Sequence, residues 1–282
     1  MLRHASKAVL LNTLWTVLGR ANLIRLGRFL LNEGRLDIGN GTDRNGERLI
    51  QACVAERWKG IPNVTMLDIG ANVGEWSFEM ATCLSRNDST FRVFAFEPCA
   101  ETWESLQLNI TQWKLDHALT PINSAVSAAP GELRFYSLGA NQGRNSVYPH
   151  PNEVDQERTI QCTSIDAWCK QEDLDSLHYV KIDTEGHDLE VLYGATRMLE
   201  SQKIEMLQFE YNQRWIEAGH FLREAYEFFG THGYAMGKIT RMGIEFYGTW
   251  DFDLETFHEG NYIALKHEHA SAFPTVKYWK DR

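Results

Sequence analysis

Residues 183–188, Asp-Thr-Glu-Gly-His-Asp, place three carboxylates and one imidazole in six positions. Carboxylates hold hydroxyls and take protons, and an imidazole titrates near neutrality. Asp183, Glu185 and His187 are therefore candidates for acid–base work, and a chain reversal at Gly186 would set Asp183 beside Glu185. Thr184 or Asp188 could cap a following helix, but capping accounts for one residue and not the whole set. Further along, Glu210-Tyr211-Asn212 supplies another acid and an amide. Earlier in the chain stands Asp68-Ile69-Gly70-Ala71-Asn72-Val73-Gly74. Glycines at 70 and 74 permit a tight turn and let a ligand touch the backbone. Asp68 can hold a cationic amine. A dinucleotide turn would read G-x-G-x-x-G, with a pyrophosphate on the helix N-terminus. Here position 72 is Asn and position 75 is Glu, so the loop suits a ligand with an amino-acid end better than one with a phosphate. Glu97-Pro98 comes 23 residues after Gly74, where an acid can accept both hydroxyls of a ribose. Ser124 and Ala125, placed by topology alone, are candidates to line an adenine.

These residues need elements to position them. Apolar runs predict strands at 64–68, 91–97, 119–126, 133–137, 178–183, 204–210, 234–239, 244–247 and 262–266. Helical spacing is predicted over 75–85, 100–115, 164–171, 188–200 and 221–232. Strand–helix alternation predicts a doubly wound α/β fold with a mostly parallel sheet and helices on both faces. Ligands in such sheets bind beyond the carboxyl ends of the strands, where the motifs above fall.

The chain has 282 residues, 43% apolar and 23% charged, which is globular composition. Its net charge of −10 argues against nucleic acid as a partner. Residues 1–35 depart from this balance. Arg3, Lys7, Arg20, Arg25, Arg28 and Arg35 against Glu33 make the segment +5, leaving −15 for the remainder. Leu10, Leu14, Val17 and Leu18, then Leu23, Leu26, Phe29 and Leu30, predict two amphipathic helices with a break near Gly19. The segment is too short and polar to span a bilayer and lacks a signal-cleavage site. It would either pack on the protein or a partner subunit, or dock reversibly on an anionic membrane. A turn cluster at 39–46 separates it from the rest of the chain, so residues 1–40 are expected to be a helical appendage and 41–282 the main domain. Five cysteines without a C-x-x-C pair fit reduced, cytoplasmic usage. His267 and His269 lack further ligands nearby, so no metal is expected.

LDIGANVGEWS (67–77), VFAFEPC (93–99), AVSAAPGELRFY (125–136), SIDAW (164–168), VKIDTEGHDLEVLYGA (180–195) and LQFEYN (207–212) together resemble the FkbM family of S-adenosylmethionine-dependent methyltransferases. The resemblance covers roughly residues 41–266. It implies a Rossmann-like class I methyltransferase fold with a seven-stranded sheet whose last strand is antiparallel. It also implies metal-free O-methylation of hydroxyls on sugars, glycans or related natural products. Asp68, Gly70, Asn72 and Gly74, with Trp76 and Ser77 in the same motif, would hold the methionine end of S-adenosylmethionine. Glu97 and Pro98 would meet the ribose, and Asp183, Glu185 and His187 the methyl-transfer face. Asn45-Gly46-Glu47 resembles a family N-G-E, with Glu47 near the cofactor's amino-acid end. Residues 143–147 resemble a substrate-facing loop, with Ser146 its candidate contact.

Methyl transfer from a sulfonium is an in-line displacement, so the protein must align an acceptor hydroxyl and remove its proton. His187 or Asp183 is the expected base, while Glu185, Glu210 and Asn212 are expected to hold the acceptor. The rival readings are a nicotinamide-dependent oxidoreductase, which lacks its third glycine here, and a non-catalytic cofactor binder. Acceptor identity and homo-oligomerisation are left open.

Overall fold

The computed structural model describes residues 2–37, 44–87, 89–150 and 153–281, with backbone alone for residues 2–8 and 10. Residues 39–41 and 43 of the turn cluster lie outside the described residues. The chain divides into two compact units, Met1–Gly39 and Asn40–Arg282. The first holds α1 (Leu2–Gly34), whose helical dihedrals are interrupted at Gly19 (φ 70°, ψ 161°). The expected break is therefore present at that residue.

The second unit opens with α2 (Glu47–Arg57), β1 (Val64–Ile69), α3 (Glu75–Ser85), β2 (Phe91–Phe96) and α4 (Ala100–Gln112). There follow β3 (Leu119–Ile122), β4 (Ala125–Val126), β5 (Gly131–Ser137), β6 (Gln156–Thr163), α5 (Ile165–Gln171) and β7 (Tyr179–Ile182). Next come α6 (Asp188–Tyr193), α7 (Thr196–Glu200), β8 (Met206–Tyr211), α8 (Arg214–Ala218) and α9 (Leu222–Thr231). The chain closes with β9 (Tyr234–Thr240), β10 (Gly243–Phe246), β11 (Gly260–Lys266) and β12 (Thr275–Val276).

The main sheet runs β12-β10-β9-β11-β8-β7-β1-β2-β3, and β8, β7, β1, β2 and β3 are mutually parallel. Strand β11 is antiparallel to both of its neighbours, β8 and β9. The fold is thus the Rossmann-like α/β arrangement expected. The strand count needs correction, because nine described strands join this sheet and not seven. The expected seven are β3 to β9 in sheet order; β10 pairs antiparallel with β9, and the two-residue β12 extends that edge. Residues 119–126, read as one strand, split at Asn123-Ser124. Strand β3 stays in the main sheet, while β4 joins a second sheet ordered β4-β6-β5. The helix read over 188–200 breaks into α6 and α7.

Alternation within each central strand explains the two layers. Met66, Val93, Tyr179 and Met206 face a core shared with Ile50 and Val54 of α2 and Met80 and Leu84 of α3. Leu67, Phe94, Val180 and Leu207 face the opposite core, with Leu189 and Leu192 of α6 and Phe229 of α9. A sheet buried on both faces needs near-continuous apolar strands, and β1, β7 and β8 are buried at every position.

The carboxyl ends of β1 and β7 touch backbone to backbone. Gly70 has φ 82°, and a Cβ there would stand 1.8 Å from the carbonyl oxygen of Asp183. Gly70→Ala is therefore expected to destabilise the fold by roughly 3 kcal/mol or more, through a clash against fixed backbone. Gly219→Ala is the control, since Gly219 has φ 74° with open space around it, and should cost only about 1–2 kcal/mol. Equal losses in urea unfolding would show that close approach at Gly70 carries no weight.

Candidate functional site

Strand ends bring the sequence candidates to one edge of the sheet, where two chambers adjoin. The first is lined by Gly70, Asn72, Glu97, Pro98, Ser124 and Ala125, together with Asp183, Glu185 and His187. The second is lined by Glu47, Gly70, Asn72, Trp76 and Asp183, with Lys181 beside them. Gly70, Asn72 and Asp183 are common to both. The chambers thus meet at the contact between the β1 and β7 ends.

In the first chamber Glu97 is held by the loop that packs against it. Its Oε2 accepts the Asn72 backbone N–H at 2.9 Å and its Oε1 the Cys99 N–H at 2.9 Å. Each oxygen keeps capacity for a further donor, so the pair can receive two adjacent hydroxyls. Burial pushes the Glu97 carboxyl up to about 7, against those two backbone bonds. Ser124 shares its hydroxyl with the Ala125 and Gln161 carbonyls. The amides of the glycine turn are largely spent. Gly70 and Ala71 donate to the Phe96 carbonyl, Asn72 to Glu97, and Gly74 to the Ala71 carbonyl. A pyrophosphate would need these N–H groups free.

In the second chamber Lys181 is the central charge. Its Nζ lies 2.9 Å from Asp183 Oδ2 and 4.0 Å from Asp68 Oδ1. Burial alone would lower its pKa, but Asp183, Asp68 and Glu47 together hold it above the ordinary value. The Lys181 ammonium also sits 6.0 Å from the centre of the Trp76 ring, which stacks on Tyr179. Glu47 accepts from Gln208 Nε2 at 2.6 Å and from Asn45 Nδ2 at 2.7 Å, and Tyr179 donates to Gln208 at 2.7 Å. Sequence reasoning assigns neither Lys181 nor Gln208 a role. Their signal is a polar residue inside a strand otherwise almost wholly apolar.

At the junction, Asp183, Glu185 and Glu210 each offer a carboxylate oxygen within 4.8 Å of the others. Register pairs Ile182 with Phe209, so Asp183 and Glu210 come next, side by side. Positive φ at Glu185 (53°) and Gly186 (98°) folds Glu185 back toward them. Burial, then Asp183, Asp188 and Glu259, push Glu185 up to about 8. Burial likewise raises Glu210 well above its ordinary range. Asp188 lies beneath, accepting the Gly186 and Glu210 N–H groups, and burial raises it to about 7.

Asp68, Gly74, Ser77, Ser146, Glu210 and Asn212 line neither chamber, whereas His187 lines the first but turns Nε2 into the protein. Asp68 is fully buried, accepts the Ser77 hydroxyl at 2.7 Å, and meets the second chamber only through Lys181. Burial raises its pKa while Lys181 and Ser77 oppose the rise. A Cβ on Gly74 would fall 2.5 Å from Leu106 and 3.2 Å from Trp113, so this glycine serves helix packing. Ser146 is buried, donating to the Glu185 carbonyl at 2.8 Å and accepting the Tyr148 N–H. Asn212 donates to Glu210 Oε2 at 2.6 Å and accepts the Arg214 N–H at 2.8 Å. His187 Nε2 pairs with Ser127 Oγ at 2.9 Å, and burial, helped by His220, lowers its pKa to about 4. Such an imidazole is neutral and a weak base.

Among the described residues, six buried polar atoms of this region make no hydrogen bond: Asn72 Oδ1, Thr184 Oγ1 and His187 Nδ1 belong to residues of the first chamber. Trp76 Nε1 belongs to a residue of the second chamber, while Asp68 Oδ1 and Gln51 Oε1 lie behind it, Asp68 Oδ1 facing the Lys181 ammonium at 4.0 Å. Buried polar atoms are normally paired.

A family model for the methyltransferase FkbM domain matches residues 68–236. A hexuronic acid methyltransferase, AglP, from Haloferax volcanii is 30% identical over 135 residues, which make up 48% of this chain and 51% of that protein. The chain thus matches about half the length of that curated relative. Among solved structures, an FkbM methyltransferase from Methylobacillus flagellatus has a TM-score of 0.46 at 18% identity, covering 72% of this chain and 43% of that one. A precorrin-6y C5,15-methyltransferase from Geobacter metallireducens has a TM-score of 0.42 at 13% identity, covering 77% and 88%.

The raised carboxyls make a stability prediction. Glu97, Glu185 and Asp188 start from ordinary values of 4.5, 4.5 and 3.8 and keep their protons to about 7, 8 and 7 when folded. Their contribution is present at low pH and is lost as pH rises through those folded values. His187, lowered from 6.5 to about 4, contributes in the opposite sense, with stability lost as pH falls below 6.5. Above pH 6.5 only the carboxyl losses continue. The ligand-free protein should melt at least about 3 °C lower at pH 8.5 than at pH 6.5. A flat or rising melting temperature over that range would contradict the burial of these acids.

Proposed function

The chain belongs to the FkbM methyltransferase family, and from that premise we propose that it transfers a methyl group from S-adenosylmethionine to a hydroxyl of a sugar, glycan or related natural product. The observation that carries this reading is the pair of chambers joined at Asp183. One end offers a carboxylate suited to ribose hydroxyls, and the other an acid and an ammonium suited to an amino-acid zwitterion. The relative named for a hexuronic acid supports a sugar acceptor. The engaged amides of the glycine turn count against a nicotinamide dinucleotide.

When bound, S-adenosylmethionine supplies a methyl group on a sulfonium leaving group. Glu97 receives the ribose hydroxyls, with Pro98, Ser124 and Ala125 along the adenine. Glu47 and Lys181 receive the amino-acid end, Trp76 walls that chamber, and Asp68 and Ser77 fix Lys181 from behind. Asp183 takes the proton of the acceptor hydroxyl, and Lys181 orients it through the 2.9 Å contact. Glu185 and Glu210 hold neighbouring acceptor hydroxyls. His187 serves as a wall in place of a base, since Ser127 engages its Nε2. Proton removal of this kind contributes about 10²–10⁴-fold.

The test is a glycan pool incubated with isotope-labelled S-adenosylmethionine and read by mass spectrometry. A labelled methyl ether is expected with the wild type. Asp183→Asn should lower its formation by about 10²-fold or more with donor affinity retained, and Glu97→Ala should weaken donor binding at least about tenfold by losing the paired acceptors. Near-wild-type turnover in Asp183→Asn would remove Asp183 as the base.

We also infer that α1 docks on an anionic membrane surface. No described helix is long and apolar enough to cross a membrane. Trp15, Val17, Ile24, Leu26, Phe29 and Leu30 are exposed on α1, and Arg20, Arg25 and Arg28 lie among them in sequence. Apolar and basic residues together suit the interface of an anionic bilayer. The full chain should float with phosphatidylserine vesicles and a version lacking residues 1–35 should not. Equal flotation of the two would discard this docking.

A further inference from the structure

We infer that Glu185 and Glu210 distinguish the charged methyl donor from its neutral demethylated product by exchanging a proton with solvent, so that donor binding releases a proton and product binding does not. The inference rests on the methyltransferase reading and concerns how its site tells the two sulfur ligands apart. The two differ by a methyl group and one positive charge. Discrimination by charge requires an anion that is present when the charge is present and absent when it is not.

The junction has the geometry for this. Any ligand occupying both chambers passes Asp183, and Glu185 and Glu210 present oxygens within 4.8 Å of that carboxylate and of each other. Carboxylates so close do not all ionise at neutral pH, so the group holds protons when no cation is near. The surroundings reinforce this. Asp188 lies below and Glu259 stands on the segment just before β11, and both oppose ionisation of Glu185 and Glu210. Asn212 donates one hydrogen bond to Glu210.

The nearby cations make their close contacts with other groups, and Arg214 offsets only part of the rise at Glu185. Lys181 pairs with Asp183 at 2.9 Å. Arg214 pairs with Glu217 at 2.6 Å and donates to the Tyr148 and Pro149 carbonyls. Arg144 makes a two-pronged pair with Glu153. His187 is neutral through burial. Burial pushes Glu185 up to about 8, so it carries a proton at neutral pH that a cation can displace. The balance is simple. A carboxyl O–H breaks as the cation arrives and the proton goes to solvent; once the sulfur is neutral, the carboxylate recovers a proton from solvent.

The test is calorimetric titration of the full chain with S-adenosylmethionine and with S-adenosylhomocysteine, between pH 5.5 and 7.0. An α-amino group stays largely protonated in that range. Runs at pH 7.0 in phosphate and in imidazole count protons through the difference in buffer ionisation heat. The donor is expected to release about one proton, and its affinity to rise up to about tenfold per pH unit. The product is expected to release none, with affinity flat in pH. Glu185→Gln and Glu210→Gln, checked for folding by thermal melts, should each reduce proton release and flatten the donor's pH dependence. Glu259→Gln, at an exposed position, should shift the rise in donor affinity to lower pH. Donor and product affinities that move in parallel with pH would overturn the inference and leave the methyltransferase reading standing. Proton release that persists in both Gln variants would do the same. Failure of either ligand to bind at any pH would overturn both.

Discussion

The site depends on one close contact, the approach of Gly70 to the Asp183 carbonyl. No side chain fits between them, since a Cβ at residue 70 would lie 1.8 Å from that oxygen. The contact is held by the Asp183 N–H donating to the Ile69 carbonyl and the Gly70 N–H donating to the Phe96 carbonyl. Three adjacent strand ends are thereby locked in register. The lock has three consequences. Asn72 is delivered to Glu97, Asp183 stands where the two chambers meet, and Lys181 points back between Asp68 and Asp183. A glycine turn of this type is usually read as a seat for ligand phosphate; here it is a seat for protein backbone.

Charge burial is the second organising constraint. An acid inside a protein is costly unless it is paired or keeps its proton. This site uses both solutions, side by side. At one end Asp68 and Asp183 share Lys181, and Glu47 accepts one amide donor on each oxygen. At the other, Glu185, Glu210 and Asp188 have little cationic support and keep protons instead. The ligand-free protein therefore stores an unfavourable arrangement that a bound cation relieves. Strained or poorly paired groups concentrate where a ligand completes them.

Much of this edge is legible in the sequence, because parallel strands write themselves as apolar runs and their ends as the first polar residues after them. Asp183, Glu185, Glu97 and Glu210 are found that way. The illegible part depends on distant partners. Glu47 bonds to a residue 161 positions away, Gln208, and no local pattern reveals that pairing. Strand β6 has half of its side chains exposed and only two apolar residues, Ile160 and Cys162. The split between β3 and β4 is invisible in a run that is apolar on both sides of Asn123-Ser124. Side-chain direction is the commonest loss. Ser146, Ser77 and Asn212 stand out in the sequence as polar residues near the site, and each is turned into a protein hydrogen bond.

Those inward-turned residues give the loop at 143–150 its place in the mechanism. Ser146 ties the loop to the Glu185 carbonyl, and Arg214 ties it from the other side through the Tyr148 and Pro149 carbonyls. Gly186 packs against Arg214 so closely that a Cβ there would lie 2.7 Å from the arginine Cβ. The turn that aims Glu185 into the cleft is thus clamped by the same two residues that hold the loop as the chamber wall. Wall and carboxyl are one mechanical unit, so Glu185 cannot move away from Asp183 and Glu210 without releasing the loop. That rigidity keeps Glu185 and Glu210 crowded against Asp183 when no cation is present, and burial together with that crowding leaves those two protonated.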